Sequence, residues 1–291
     1  MVKHIGDNAQ HFLNEDAIIS SNEDIFNFKP YAKKIQKLIQ NNSSNSNTLT
    51  IGIYGKWGEG KTSFMNLIKE QIDGKEGNEK GILIYNFNPW RYSTEDEMLF
   101  DFFDGLSKTM MISEDGNLKK AGKRIVKLSS YLKALKISAT VGVPGFLGGK
   151  IEVRPEKILK KMGQDFQGED ITIEKLAENV NKHLLKSDYK VAVFIDDLDR
   201  LDKDEIYTML KLIKLNAHFK NFVYLLTIDQ EQAAKAISQR YGDELTDGYM
   251  FLEKIINIPI QLPRIEKKDL FEFFSKKLEL ISKHSILNNR K

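Results

Sequence analysis

The segment Gly55-Lys56-Trp57-Gly58-Glu59-Gly60-Lys61-Thr62 constrains the fold of this chain more than any other feature. It satisfies G-x-x-x-x-G-K-[ST] and stands between an apolar run, Leu49–Tyr54, and an amphipathic one, Lys61–Asp73. That order predicts a strand, a loop and a helix. Glycine tolerates backbone angles that other residues avoid, so a loop with this spacing can turn successive N–H groups toward one anion. The positive end of the following helix adds to the same field. In such a loop Lys61 reaches the β- and γ-phosphates of a nucleotide, and the Thr62 hydroxyl binds Mg²⁺. Ser63 is placed to donate to the α-phosphate. The expected phosphate-binding set is therefore Gly55, Lys56, Trp57, Gly58, Glu59, Gly60, Lys61, Thr62 and Ser63.

The rest of the chain repeats the alternation of strand and helix. Further apolar strands are expected at Ile82–Phe87, Val191–Ile195, Phe222–Thr227 and Asn257–Leu262. Helices are expected at Tyr31–Gln40, 94–110, 203–216 and 230–240. Such alternation implies an α/β fold, a mostly parallel sheet with helices on both faces. Five segments follow: an N-terminal segment and polar linker (1–47), a first core part (48–104), a basic, mainly helical insertion (105–170), a second core part (171–263) and the start of a C-terminal helical region (264–291).

Composition excludes several chemistries. The chain holds no cysteine, which removes disulfides, thiolate-bound zinc, iron–sulfur clusters and thiol nucleophiles. Its five histidines show no metal-ligand spacing. The N-terminus lacks the apolar core of a secretory signal, and no run is long enough to span a membrane, so a bacterial-style cytoplasmic protein is expected.

A second chemical feature is Val191-Ala192-Val193-Phe194-Ile195-Asp196-Asp197, a buried strand that delivers two carboxylates at its C-terminal end. Asp196 is expected to serve the metal, with Thr62, and Asp197 to orient or deprotonate an attacking water. The pair also reads as helix-initiating acids. Arg200 reads either as a surface partner of Asp199 or Asp202, or as a sensor facing phosphate or an interface. Asp229, at the tip of strand 222–227, reads either as a polar group beside the γ-phosphate or as the N-cap of the next helix. The catalytic candidates are thus Lys61, Asp196, Asp197, Asp229 and Arg200.

Four ordered motifs between residues 52 and 263 resemble the KAP family of P-loop NTPases. They are Gly52–Ser63 with its tryptophan inside the loop, Phe87-Asn88-Pro89-Trp90-Arg91-Tyr92, Ile195-Asp196-Asp197-Leu198-Asp199-Arg200, and Phe251–Pro263. The resemblance implies an ASCE-type core, in which an extra strand lies between the two motif strands, and it implies ATP with Mg²⁺. It further implies hydrolysis that drives an assembly or conformational switch, in some relatives as part of bacterial anti-phage defence. A P-loop small-molecule kinase is disfavoured by the paired aspartates, whereas a nucleotide-binding scaffold with little turnover stays open. The family also implies a helical region after the last strand. Only 28 residues follow Pro263, so the expectation is a truncated piece or a lid supplied from elsewhere.

Secondary candidates carry two readings each. Trp90 and Arg91 read as core packing or as neighbours of nucleotide or a second subunit. Lys254 reads as a solvated lysine or as a positive finger toward that subunit. Ile25–Tyr31 reads as an apolar wall for adenine or as a staple packing the first helix on the sheet.

Charge is the last constraint. The net charge is +3, yet residues 105–165 hold 13 basic and 5 acidic side chains, leaving the remainder acidic. Lys119–Lys127 opens a basic amphipathic helix, and Thr140–Gly149 continues as an apolar, glycine-rich stretch too short to span a bilayer. Many relatives carry membrane helices in this place; this sequence does not. Residues 119–149 therefore read as a peripheral membrane contact, a partner-binding element of a homo-oligomer or effector complex, or a solvated arm. Nucleic acid is a weaker expectation, because arginines and aromatics are few.

Overall fold

The computed structural model describes residues 16–42, 48–73, 81–140, 173–215, 219–241 and 244–288. The chain divides into two compact units, one of residues 1–38, 55–75 and 261–291, the other of 39–54 and 76–260.

The larger unit holds a five-stranded sheet. Its strands are β1 (Leu49–Tyr54), β2 (Ile82–Phe87), β3 (Lys190–Ile195), β4 (Phe222–Ile228) and β5 (Ile258–Gln261), ordered β2-β3-β4-β1-β5. Pairing is parallel from β2 to β3, β3 to β4 and β4 to β1, with registers ending at Phe87↔Ile195, Ile195↔Leu226 and Tyr54↔Ile228. Every residue of β3 and β4 is buried. That explains why both read as continuous apolar runs with no polar alternation: a central parallel strand is covered on both faces. β4 lies between β1 and β3, which is the ASCE strand order.

Helices α3 (Glu95–Ile112), α4 (Gly116–Thr140) and α5 (Ile173–Leu184) pack together in this unit. Thr94 caps α3 by accepting from the Glu97 amide, as its β-region backbone and three acidic first-turn residues would lead one to expect. α4 is amphipathic. Leu118, Ala121 and Ile125 are fully buried, and the Ser107 hydroxyl donates to the Gly122 carbonyl at 2.9 Å. Residues 141–149 of the apolar stretch lie outside the described residues. The helices α6 (Lys203–Leu215), α7 (Gln230–Tyr241) and α8 (Leu245–Glu253) complete the packing, and their apolar faces join one core with Val191, Val193, Ile195, Tyr224 and Leu226.

Lys190 opens β3 from an almost fully buried position. Its ammonium donates to the carbonyls of Ile39 (2.9 Å), Gln40 (2.7 Å) and Asn42. These belong to the last turn of α1 (Lys29–Asn41) and the residue after it, where unpaired carbonyls concentrate and a cation is favoured. On the other side of the linker, the Thr48 hydroxyl donates to Phe219 O at 2.7 Å.

The smaller unit contains α2 (Lys61–Asp73), α9 (Lys267–Asn288) and the N-terminal segment. Asp24 accepts from the amides of Phe28 and Lys29 at 2.9 and 2.7 Å, which fixes the start of α1. Phe28 is buried edge-on against Phe64 of α2, and Phe26 sits 5.6 Å from Phe273 of α9. Phe28 thus acts as a staple against α2 and not against the sheet, while Ile25 and Tyr31 remain exposed.

α7 and α8 meet at a position that admits glycine alone. A Cβ on Gly248 would lie 2.0 Å from the Ala234 carbonyl oxygen and 2.6 Å from its carbon. Backbone cannot swing aside as a flexible side chain can, so Gly248→Ala should destabilise the fold by about 3 kcal/mol. Urea unfolding monitored by circular dichroism measures this directly.

Candidate functional site

The glycine loop leaves β1 at Tyr54 and is built as its sequence requires. Gly58 and Gly60 adopt φ of +82° and +89°, a region costly for any residue with a Cβ. Gly55 is needed for closeness instead: a Cβ there would meet the Glu59 carboxylate at 3.1 Å and the Lys61 side chain at 3.3 Å. Lys56 N donates to Glu59 Oε2 at 2.7 Å, and Glu59 N returns to Lys56 O at 3.2 Å, closing the turn. Trp57 projects from the turn, 75% exposed.

Lys61 is only 8% exposed, and its ammonium donates to the carbonyls of Gly55 and Lys56 at 3.1 Å each. A buried ammonium held by its own loop is a cation kept at the turn where a loop of this sequence would receive an anion. Phe64 N donates to Gly60 O, so the helix starts directly beneath the loop. Ser63 Oγ accepts from Ile18 N at 3.3 Å, which leaves its own proton for another acceptor. Asn66 donates to Ile18 O at 2.9 Å, and Glu70 accepts from Ser20 Oγ, Ser21 N and Ser21 Oγ. Ser63, Asn66 and Glu70 share one face of α2, and that face grips the strap of residues 18–21.

The carboxylate group is organised within the larger unit. Asp196 follows β3, and its Oδ1 accepts from the Asp197 amide at 3.0 Å and from the fully buried Thr227 hydroxyl of β4. Asp197 adopts φ +61°, ψ 29°. A left-handed non-glycine residue costs about 1–2 kcal/mol, and Asp is among the residues that tolerate it best. Both of its oxygens are engaged: Asn88 Nδ2 donates to Oδ2 at 2.8 Å, and Arg200 Nε bonds Oδ1 at 2.8 Å. The Arg200 guanidinium lies 4.9 Å from the Trp90 ring centroid, a cation–π contact. Trp90 itself is 55% exposed, so its role is this stacking and not core packing.

Arg200 pairs with Asp197, a partner other than the Asp199 or Asp202 that the sequence offered. Asp229 caps α7, its Oδ1 accepting from Glu231 N at 3.1 Å and Gln232 N at 3.2 Å. Arg91 and Lys254 are exposed, and Lys254 contributes its carbonyl to Lys214 Nζ. Burial, with a smaller contribution from the Glu253 carboxylate, pushes the Tyr54 phenol up to about 12, so the last side chain of β1 stays protonated at neutral pH.

Sequence reasoning missed Asn88 and Thr227. The signal for Asn88 was available: parallel pairing of β2 with β3 puts the residue after Phe87 beside the residue after Ile195. The grip of α2 on residues 18–21 had no counterpart in any motif.

The KAP family P-loop domain matches residues 28–290. The chain belongs to the KAP family of P-loop NTPases. A phage T7 exclusion protein of Escherichia coli (strain K12) is 24% identical over 92% of this chain, which spans 37% of that protein's length. Among solved structures, the Aeropyrum pernix ORC2 protein in its ADPNP–ADP complexes has a TM-score of 0.42 at 11% identity, over 93% of this chain and 56% of its own. The Aeropyrum pernix ORC1 protein in complex with DNA has a TM-score of 0.42 at 12% identity, over 93% of this chain and 53% of its own. As a KAP P-loop domain the chain has a nucleotide-binding fold; the smaller unit offers the Thr62 hydroxyl and the Lys61 ammonium, and the larger unit the Asp196 carboxylate, each a group of the kind that suits a phosphate or a hard cation. Among the described residues, no helix of this KAP domain is long and apolar enough to cross a membrane.

The strap can be tested separately from the chemistry. Removing the Glu70 carboxylate should expose the Ser21 amide, because a charge-assisted hydrogen bond contributes about 1.5–3 kcal/mol. Glu70→Ala is therefore expected to speed hydrogen exchange at Ser21 by about tenfold or more while leaving the amides of β3 unchanged.

Proposed function

We propose that this KAP domain binds ATP with Mg²⁺ and hydrolyses it to switch assembly or conformation. The observation that carries the reading is the buried Lys61 ammonium, held by the carbonyls of its own loop, in which Gly58 and Gly60 are left-handed. The sheet supports it: the C-terminal ends of β1, β4 and β3 share one edge, in that order, and the loop continues β1 covalently.

In this reading the loop amides and Lys61 take the β- and γ-phosphates, exchanging the carbonyls of Gly55 and Lys56 for stronger anionic acceptors. Ser63 donates its free proton to the α-phosphate. Thr62 and Asp196 would hold Mg²⁺, which when bound neutralises charge building on the phosphates. Thr227 holds Asp196 in one orientation, and Asp197 orients the attacking water and accepts its proton. Arg200 and Asn88 set the rotamer of Asp197, while Asp229 anchors the end of β4. The likeness to the phage exclusion protein extends the proposal to bacterial defence, with a second copy or an effector protein as partner. Residues 48–104 and 171–263 then form the core, between the N-terminal segment (1–47) and a C-terminal helical region beginning at 264, with 105–170 inserted into it.

One observation favours a second reading, a nucleotide-binding scaffold with little turnover. Both oxygens of Asp197 already accept a bond, from Asn88 and Arg200, so a water competes with these contacts for the carboxylate and has only its remaining lone pairs.

Nucleotide binding and phosphate release separate these readings. Lys61→Ala should weaken ATP binding by at least about 100-fold, consistent with the loss of charge-assisted contacts to phosphate; unchanged affinity overturns the site. Asp197→Asn keeps the left-handed backbone and should bind ATP normally while phosphate release falls by about 100-fold or more. If the unaltered chain binds ATP but releases no phosphate, alone or with its partner, the scaffold reading replaces hydrolysis.

A further inference from the structure

The described part of the insertion gathers positive charge on one packed surface. Lys119, Lys120, Lys123 and Arg124 are all exposed on α4, at spacings that keep them on adjoining turns. α5 packs against α4, and the Asn117 side chain donates to Lys186 O at 2.8 Å, which joins the end of α5 to the start of α4. Lys182 and Lys186 are exposed there as well. His183 lies among them. Burial lowers its proton affinity first, and Arg124, Lys120, Lys186 and Lys182 lower it further. All four charged neighbours acting on this imidazole are cations, so the charges of α4 and α5 converge in space. The described ion pairs, Lys108–Asp104, Arg200–Asp197 and Lys235–Glu231, involve none of them.

Two kinds of anionic partner can be weighed. A lipid surface draws in the apolar side of a basic helix as well as its charges. Over the stretch of α4 that carries these cations that side is already covered: Leu118, Ala121 and Ile125 are buried completely within the protein. Single-stranded nucleic acid asks for aromatic side chains on which unpaired bases can stack. The exposed cations named above have no Phe, Tyr or Trp interleaved among them. What remains is a rigid array of cations with a single arginine, suited to phosphates and not to base edges. Duplex nucleic acid offers one phosphate charge per about 1.7 Å of axis, so an array of this length finds partners in any register.

We infer that the α4–α5 face of this domain binds the phosphate backbone of duplex nucleic acid without regard to sequence. The contact uses Lys119, Lys120, Lys123, Arg124, Lys182 and Lys186, none of which belongs to the nucleotide site. The inference therefore stands or falls independently of ATP hydrolysis.

The test is binding of a 30-base-pair DNA duplex across a salt series, beginning near 50 mM. Counterion release makes the logarithm of affinity fall with the logarithm of salt at about −0.9 per phosphate neutralised. With all six cations engaged the wild-type slope should be about −5, and two duplexes of unrelated sequence should bind alike. The triple variant Lys120→Gln, Arg124→Gln, Lys186→Gln should lose at least tenfold in affinity near 50 mM salt and flatten the slope by about 3. Its ATP affinity and far-ultraviolet circular dichroism should match wild type, since all three side chains are exposed. Nuclear magnetic resonance adds a readout without mutation: neutralising the surrounding cations should move the His183 titration upward on adding duplex. No binding near 50 mM salt, or a slope unaltered in the triple variant, overturns the inference. So does tighter binding to a single strand, or capture by phosphatidylserine vesicles when duplex fails to bind.

Discussion

Parallel pairing of β4 with both β1 and β3 is the constraint on which the rest of the domain depends. Each central strand loses both faces to the interior, and only residues that bury well can occupy it. The polar groups are consequently expelled to the strand ends, and three ends fall on one edge. Tyr54, Thr227 and Asp196 stand there as neighbours because the register leaves no other place for them. Thr227 lies inside the strand, where it is tolerated because its hydroxyl reaches Asp196 at once. A buried hydroxyl with no acceptor would cost about 1–3 kcal/mol, so the bond stabilises the strand and aims the carboxylate.

Much of the fold was legible because local and global preferences agree. β1, the glycine loop and α2 could be read from eight residues and their apolar flanks. β3 and β4 could be read from unbroken runs of Val, Ile, Leu and Phe. Helix α8 and the polar face of α2 were not legible. α8 is short, and it depends on Gly248 lying against the Ala234 backbone, a contact between segments that no periodicity encodes. The α2 face looks like an ordinary solvated stripe until residues 18–21 are seen bonded to it. The sequence reading of Arg200 went to acids two residues or fewer away. The left-handed turn at Asp197 brings the third candidate closer, and turn geometry of that kind is invisible in a string of letters.

Charge followed a different logic. The +3 total hides a basic insertion within an otherwise acidic chain, and the structure resolves the insertion further. Between Leu118 and Ile125 of α4 the apolar residues face inward and the cations outward, so amphipathicity there serves packing on one side and leaves a cationic surface on the other. A hydrophobic pattern in a basic helix is thus not itself a sign of lipid. The question is whether the apolar side already has neighbours, and here α3 and α5 supply them.

Lys190 and Thr48 bound the linker at its two ends. One holds Asn42 through a buried ammonium, the other bonds Phe219, and both anchors belong to the sheet-bearing unit. Asn42 and Thr48, the described residues on either side of positions 43–47, are thus both held by groups outside the linker. Lengthening a connection between two fixed points costs little, about 0.6 kcal/mol for each doubling. Positions 43–47 are accordingly a place where a peptide tag or a fluorescent domain can be carried without altering what the sheet holds at its opposite edge.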